Sequence, residues 1–226
     1  ITTADNTDTL TLISTDADAA VGPVLNLYRN SSSPADNDLV GQIKVVARND
    51  NSQDVDVFRI DNYIVDVSDG TEDSIHSMYQ MRGDTVRETF SFGSTGIVIN
   101  DDGTDYDFRV ESDNNANMLF VDGGNDVVGI GTASASSYSG YANNLVVYEA
   151  GHAGITIATN STNHTSLYFA DGTAGAAAYA GYIDYDHNDD SLVFGTGAAP
   201  RVEISSTGVV TANAGVVVDE MTLDAD

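Results

Sequence analysis

Apolar and polar residues alternate with a period of two in run after run of this sequence, and each run is stopped by a cluster of Asn, Asp, Ser or Gly. Thr9-Leu10-Thr11-Leu12-Ile13 stops at Ser14-Thr15-Asp16, and Leu25-Asn26-Leu27-Tyr28 at Asn30-Ser31-Ser32-Ser33-Pro34. Gln42 to Val46 stops at Arg48-Asn49-Asp50-Asn51, and Phe58 to Val67 at Ser68-Asp69-Gly70. Alternation places every second side chain on one face of a strand, while Asn, Asp and Gly tolerate the backbone angles of tight reversals. The spacing of the stops predicts antiparallel strands that meander through short turns. Helices have little to work with. Lys44 is the only lysine and there are six glutamates, so exposed helices with Glu and Lys pairs cannot be assembled.

The second half echoes the first. Leu27-Tyr28 precedes Gly41 by the same 14 residues that separate Leu167-Tyr168 from Gly181. Each copy then enters an Asn/Asp turn, at 48 to 53 and 187 to 191, and closes on a shared phrase, FGSTGIVI at 92 to 99 and ISSTGVVT at 204 to 211. The Gly-to-Gly distance is 55 residues in the first copy and 27 in the second, so a 28-residue insertion is expected at about Asp54 to Arg82. Three regions follow: a β unit at 1–100, a narrow shaft-like β segment with a small-residue connector at 101–144, and a related β unit at 145–226. In the middle region Val127-Val128-Gly129-Ile130-Gly131 carries glycines where backbones approach closely, as at the axis of a threefold assembly.

Composition excludes more than it assigns. With 35 acidic residues against 8 basic ones, the net charge is -27, and no basic face for phosphates is available. Nucleic acid is therefore not expected as a partner. Solubility in a salty medium is the simpler account of the acidity, since a Debye length of roughly 3 Å at 1 M salt removes most self-repulsion. There is no cysteine, hence no disulfide or thiolate metal site. No apolar stretch is long enough for membrane insertion. The chain starts without Met and both ends are polar, as expected of an excised piece.

The run DFRVESDNNANMLFVDGGNDVVGIGT at 107 to 132 resembles a repeat of marine, cyanophage-like bacteriophage tail fibre and virion fibre proteins. GYIDYDHNDDSLVFGTGAAPRVEISSTGVV at 181 to 210 is similar to a phrase of the same family, in which an Asp-His turn leads to a strand, a Glu-Arg corner and a Ser-Ser-x-Gly turn. Two places depart from it. Pro200-Arg201-Val202 occupies the corner, and Val209-Val210-Thr211-Ala212 replaces the usual Val-Gly-Ile-Gly-Thr ending. The resemblance implies a virion location outside the host cell, a homotrimer, and contacts with other virion proteins.

Chemistry was sought in three places. Asp184, Asp186 and Asp190 stand in a loop that begins like a Ca²⁺ site, but Asp189 occupies the position of the required Gly and Gly195 that of the bidentate Glu. A solvated turn explains this run more simply, so a structural Ca²⁺ is the one cofactor held open and none is otherwise expected. Acid pairs for sugar hydrolysis are not marked by neighbouring aromatics; Tyr138, Tyr141, Tyr179, Tyr182 and Tyr185 come nearest. The histidines, His76, His152, His164 and His187, lack zinc spacing. No catalytic residue is expected.

Together these readings predict an all-β chain of elongated, repetitive antiparallel units, of β-sandwich or β-prism kind, intertwined in a homotrimeric fibre. Such strands carry apolar groups on one face only, and association would bury both these stripes and the sheet edges. The expected packing residues are Phe108, Val110, Leu119, Val121, Val128 and Ile130 in the shaft, with Leu27, Ile43, Leu167, Ile183, Leu192 and Phe194 in the units. The expected function is a non-catalytic segment that presents or spaces a host-recognition element. Two alternatives stay open: a module that binds or degrades host surface glycan, and a cellular adhesin or extracellular filament subunit.

Overall fold

The structure, a computed structural model, describes residues 7–19 and 21–216, and the polar ends at 1–6 and 217–226 lie outside the described residues. Regular structure among the described residues is β throughout, apart from two short 3₁₀ turns, Ala135–Ser137 and Gly175–Tyr179. The chain divides into two compact units, 1–150 and 151–226.

The first unit holds two sheets. One is a five-stranded meander of β1 (Asp38–Arg48), β2 (Asp54–Asp66), β3 (Asp73–Arg82), β4 (Thr85–Gly93) and β5 (Gly96–Ile99), each antiparallel to the next. The region expected as an insertion is occupied by β2 and β3. Turn chemistry closes each reversal. Asn49 Oδ1 accepts the backbone N–H groups of Asn51 and Gln53 at 3.1 and 2.9 Å. Asp66 accepts the Ser68 N–H at 2.8 Å, and this bond holds its carboxyl below the usual carboxylate range. Gly83 and Asp84, with φ of 55° and 62°, form the two-residue turn whose twist matches the right-handed twist of the flanking strands β3 and β4.

The other sheet comprises β6 (Phe108–Val110), β7 (Leu119–Asp122), β8 (Val127–Ile130) and β9 (Leu145–Val147). Its last pair departs from the antiparallel expectation: β9 runs parallel to β8. A parallel neighbour requires a crossover, and residues 131 to 144 supply it. This stretch of small residues also covers one face of the sheet, where Ala135, 1% exposed, meets Val127 and Val146. The glycines of β8 and its end permit close backbone approaches within the chain. A Cβ on Gly129 would collide with the Thr132 carbonyl oxygen, and one on Gly131 with that of Tyr148.

The second unit is a meander of β10 (His164–Phe169), β11 (Gly181–Asp186), β12 (Ser191–Thr196), β13 (Ala199–Ile204) and β14 (Val210–Ala212). The 14-residue offset is not kept in space: Leu167 pairs with Ile183, and Gly181 meets a residue 12 positions earlier. Phe169, at the end of β10, pairs with Gly181 and lies 3.4 Å from where its Cβ would be. In the first unit Leu27 lies 3.6 Å from the corresponding point on Gly41, yet its segment is not a strand. Neither Thr9–Ile13 nor Leu25–Tyr28 becomes a strand, although both alternate. Alternation prepares a face, but a strand also needs a neighbour's backbone to bond with.

Candidate functional site

Partners across a sheet project to the same face, so the register assigns every side chain to one side or the other. In the first meander one row reads Ile43, Ile60, Met78, Phe90, Ile99. The adjacent rows, on the opposite face, read Gln42, Asp61, Ser77, Ser91 and Lys44, Arg59, Tyr79, Glu88. In the second meander the apolar row is Leu167, Ile183, Phe194, Val202, Ala212, and the polar face carries Ser166, Asp184, Val193, Glu203 and Thr211. In the four-stranded sheet Phe108, Val121, Val128 and Leu145 form one row, and the opposite face carries the buried Phe120, Val127 and Val146.

The six residues expected to pack in the shaft therefore share one face: Val110 pairs with Leu119 beside the Phe108 row, and Ile130 extends it. Two members escaped the sequence reading. Leu145 and Val147 join this face because β9 arrives by a parallel crossover, which alternation does not announce. Of the residues expected inside the units, Ile43, Leu167, Ile183 and Phe194 lie in the apolar rows, and Leu192 is on the same face between Tyr185 and Ile204. Leu27 lies beside Gly41, off the strands.

These apolar rows reach solvent, while the opposite face is covered in the first meander and in the four-stranded sheet. Phe108 is 36% exposed, Leu145 58%, Ile43 46% and Leu167 50%, whereas Asp61 on the polar face is 1% exposed. Buried apolar side chains among the described residues are Phe120, Val127, Ala135 and Val146.

The polar face of the first meander is closed by its own long side chains. Asp61 accepts from Gln42 Nε2 at 2.6 Å, Arg59 Nε at 2.8 Å and the Tyr63 hydroxyl at 3.4 Å. The Arg59 guanidinium in turn lies 4.2 Å from the centroid of the Tyr79 ring. Burial, with a hydrogen bond to Glu88 adding to it, pushes the Tyr79 phenol up to about 12.

On the second meander the polar face is open instead. Tyr168 and Tyr182 are cross-strand partners with ring centroids 6.3 Å apart and planes at 83°, and Tyr179 brings a third ring to 6.3 Å from Tyr168. With His164 and Asp184 they line a cavity of about 410 Å³. Asp184 accepts from the Ser166 hydroxyl and from His164 Nδ1, the latter at 2.8 Å. Ser166, His164 and Asp184 do not form a nucleophile relay. Both the hydroxyl and the imidazole Nδ1 are directed at the carboxylate, so the imidazole does not stand between serine and aspartate as a relay requires. Sequence reading named Tyr179 and Tyr182 without Asp184 as their neighbour, because the carboxylate arrives two residues along the same face.

The three acids considered for Ca²⁺ each meet protein donors. Asp186 accepts the Asn188 N–H at 2.8 Å, and Asp190 the Tyr185 hydroxyl at 3.2 Å, while Asp184 faces the groove. Among the described residues, no group of three or more His, Asp or Glu side chains converges as metal ligands. Also among them, no helix is long and apolar enough to cross a membrane.

No family model matches the sequence, and no curated protein does. Among solved structures the chain is similar to the carboxy-terminal domain of the bacteriophage T5 L-shaped tail fibre, at 9% identity over 96% of this chain and 100% of that one, with a TM-score of 0.41. A likeness that weak assigns neither fold nor function.

Proposed function

We propose that the chain is a non-catalytic structural segment of a bacteriophage virion fibre, held together as a homotrimer and spacing or presenting a host-recognition element outside the cell. The observation that carries this reading is the bare apolar row on each of the three sheets. The first meander, whose polar face is closed by its own side chains while its apolar face meets water, is the reverse of a monomer's economy. Open edges at β1, β5, β6, β9, β10 and β14 add unpaired backbone that neighbouring copies would satisfy. The word phage rests on the sequence phrases at 107 to 132 and 181 to 210.

A second copy of the chain is the natural occupant of these faces because each row complements its own kind: aliphatic and aromatic groups with no charge among them. Light scattering on the folded chain should give three times the mass of 23.7 kDa. A monomeric mass for a sample with native β spectra overturns the proposal, and a dimer overturns its threefold form.

A further inference from the structure

The geometry points to a second function for the polar face of β10 to β12: the groove lined by Tyr168, Tyr179, Tyr182, His164 and Asp184 binds an uncharged saccharide. The reading does not depend on trimerisation.

The groove is built, not incidental. Tyr182 lies flat over β12 because Gly195 stands beneath it, and a Cβ there would collide with the ring. Tyr179 is placed by the 3₁₀ turn, which is tied back to the sheet: Asp171 N–H and Gly172 N–H both donate to the Ala177 carbonyl at 3.0 and 3.2 Å, and Ala198 N–H donates to that of Ala180 at 3.1 Å. Tyr168, 57% exposed, forms the outer wall. A cavity of about 410 Å³ falls within the roughly 300–1,000 Å³ of small-ligand sites.

The ligand class follows from what the walls and floor offer. Three phenol rings present apolar faces with polar rims, which suits a ligand that has a C–H face and a hydroxylated edge. On the floor the Asp184 carboxylate receives two hydrogen bonds, leaving acceptor capacity for ligand hydroxyls. An anionic sugar is refused by Asp184 and Asp186 and by a chain of net charge -27. A cationic ligand meets a different obstacle: the His164 ring already occupies the place beside Asp184, bonded to that carboxylate. An uncharged pyranose meets neither obstacle.

Position favours the same use. The groove and the bare Leu167 row lie on opposite faces of one sheet, so copies joined through that row leave every groove open. Repeated weak sites on one assembly gain avidity of about 10²–10⁴ when a surface engages them together.

The test is binding of the full chain to a printed array of neutral, uronate-bearing and sialylated oligosaccharides, with choline as a soluble competitor and the mass of each sample measured in parallel. Wild type should retain uncharged glycans only. Tyr168→Ala should lower that signal at least tenfold, and Gly195→Ala, which displaces Tyr182, should do the same. Tyr28→Ala, an exposed tyrosine of the other unit, should leave it unchanged. Tyr168→Phe, which keeps the ring, checks that a loss is local and not a folding failure. Absence of any neutral glycan signal, retention of acidic glycans, competition by choline, or full binding by Tyr168→Ala each overturns the assignment. A monomer that still binds neutral glycans overturns the trimer and leaves the groove standing.

Discussion

The two meanders share a turn vocabulary and an apolar row but use their other face in opposite ways. In the first, Asp61, Arg59, Gln42 and Tyr63 close over the sheet and bury a carboxylate almost completely. In the second, the same face is a row of half-exposed tyrosines around Asp184. Strand length separates them. β1 to β4 run 9 to 13 residues, long enough for side chains to lie along neighbours and satisfy one another, while β10 to β13 have six each. The number of strands between the corresponding glycine and the closing hairpin differs too. Two strands, β2 and β3, stand between the Gly41 strand and the closing hairpin, where β12 alone stands in the second unit. The 28 additional residues thus make one more strand and lengthen the rest, and the closing hairpin leaves in the opposite direction. What both meanders keep is the apolar row, which teaches that this row answers to something common to both, and the polar face to something local.

The largest effect that breaks or upholds this comparison is on assembly. Ile43→Asp and Leu167→Asp each place a carboxylate in the middle of a bare row. Each side chain is already exposed in the single chain, so folding should change by less than about 0.5 kcal/mol. Assembly would bury the new charges without partners, at several kcal/mol per ion, and the mass should fall to that of one chain in both variants. If only one variant dissociates, only that meander faces a partner, and the shared row has lost its common cause.

A smaller effect distinguishes the polar faces. Asp61→Asn removes the charge that holds Arg59 in a nearly closed site and should cost about 3 kcal/mol in a urea titration. Asp184→Asn removes a carboxylate whose cationic partner is largely solvated and should cost less than about 1 kcal/mol. Equal costs would mean that the second groove is as closed as the first.

Sequence alone made the fold class legible because alternation is a direct imprint of strand geometry, and it made the shaft face legible because Phe108, Val110, Leu119, Val121, Val128 and Ile130 alternate in contiguous runs. Leu145 and Val147 were not legible, since a parallel crossover leaves no mark in the pattern of either strand. Nor was the fate of Thr9 to Ile13 and Leu25 to Tyr28, whose alternation matches that of true strands but whose neighbours are not encoded locally. The groove was half visible. Tyr179 and Tyr182 stood out as aromatics, yet Tyr168 lies on a different strand, and Gly195 reads as a strand-breaker until the ring above it is seen. Registers bring these residues together, and registers are set by turns whose exact lengths composition does not reveal.

The smallest effect concerns the charge inside that groove. His164 has its pKa raised above the ordinary 6.5, chiefly by the hydrogen bond from Nδ1 to Asp184, with the charges of Asp184, Asp186 and Asp189 adding and burial opposing. A histidine whose folded pKa exceeds its unfolded one stabilises the fold when protonated. The contribution is therefore complete below pH 6.5 and disappears as the pH rises through the folded value. The imidazole is exposed, so solvent screens the pair and the effect on unfolding is slight. It is nevertheless readable. An NMR titration should place the His164 ring midpoint above 6.5, and Asp184→Asn should lower it. Thermal stability should decline slightly from pH 6 to 8 in wild type, with the His164 contribution to that decline lost in the variant. A His164 midpoint at or below 6.5 would separate the imidazole from Asp184 and reopen the groove to cations, removing the argument that its ligand is uncharged.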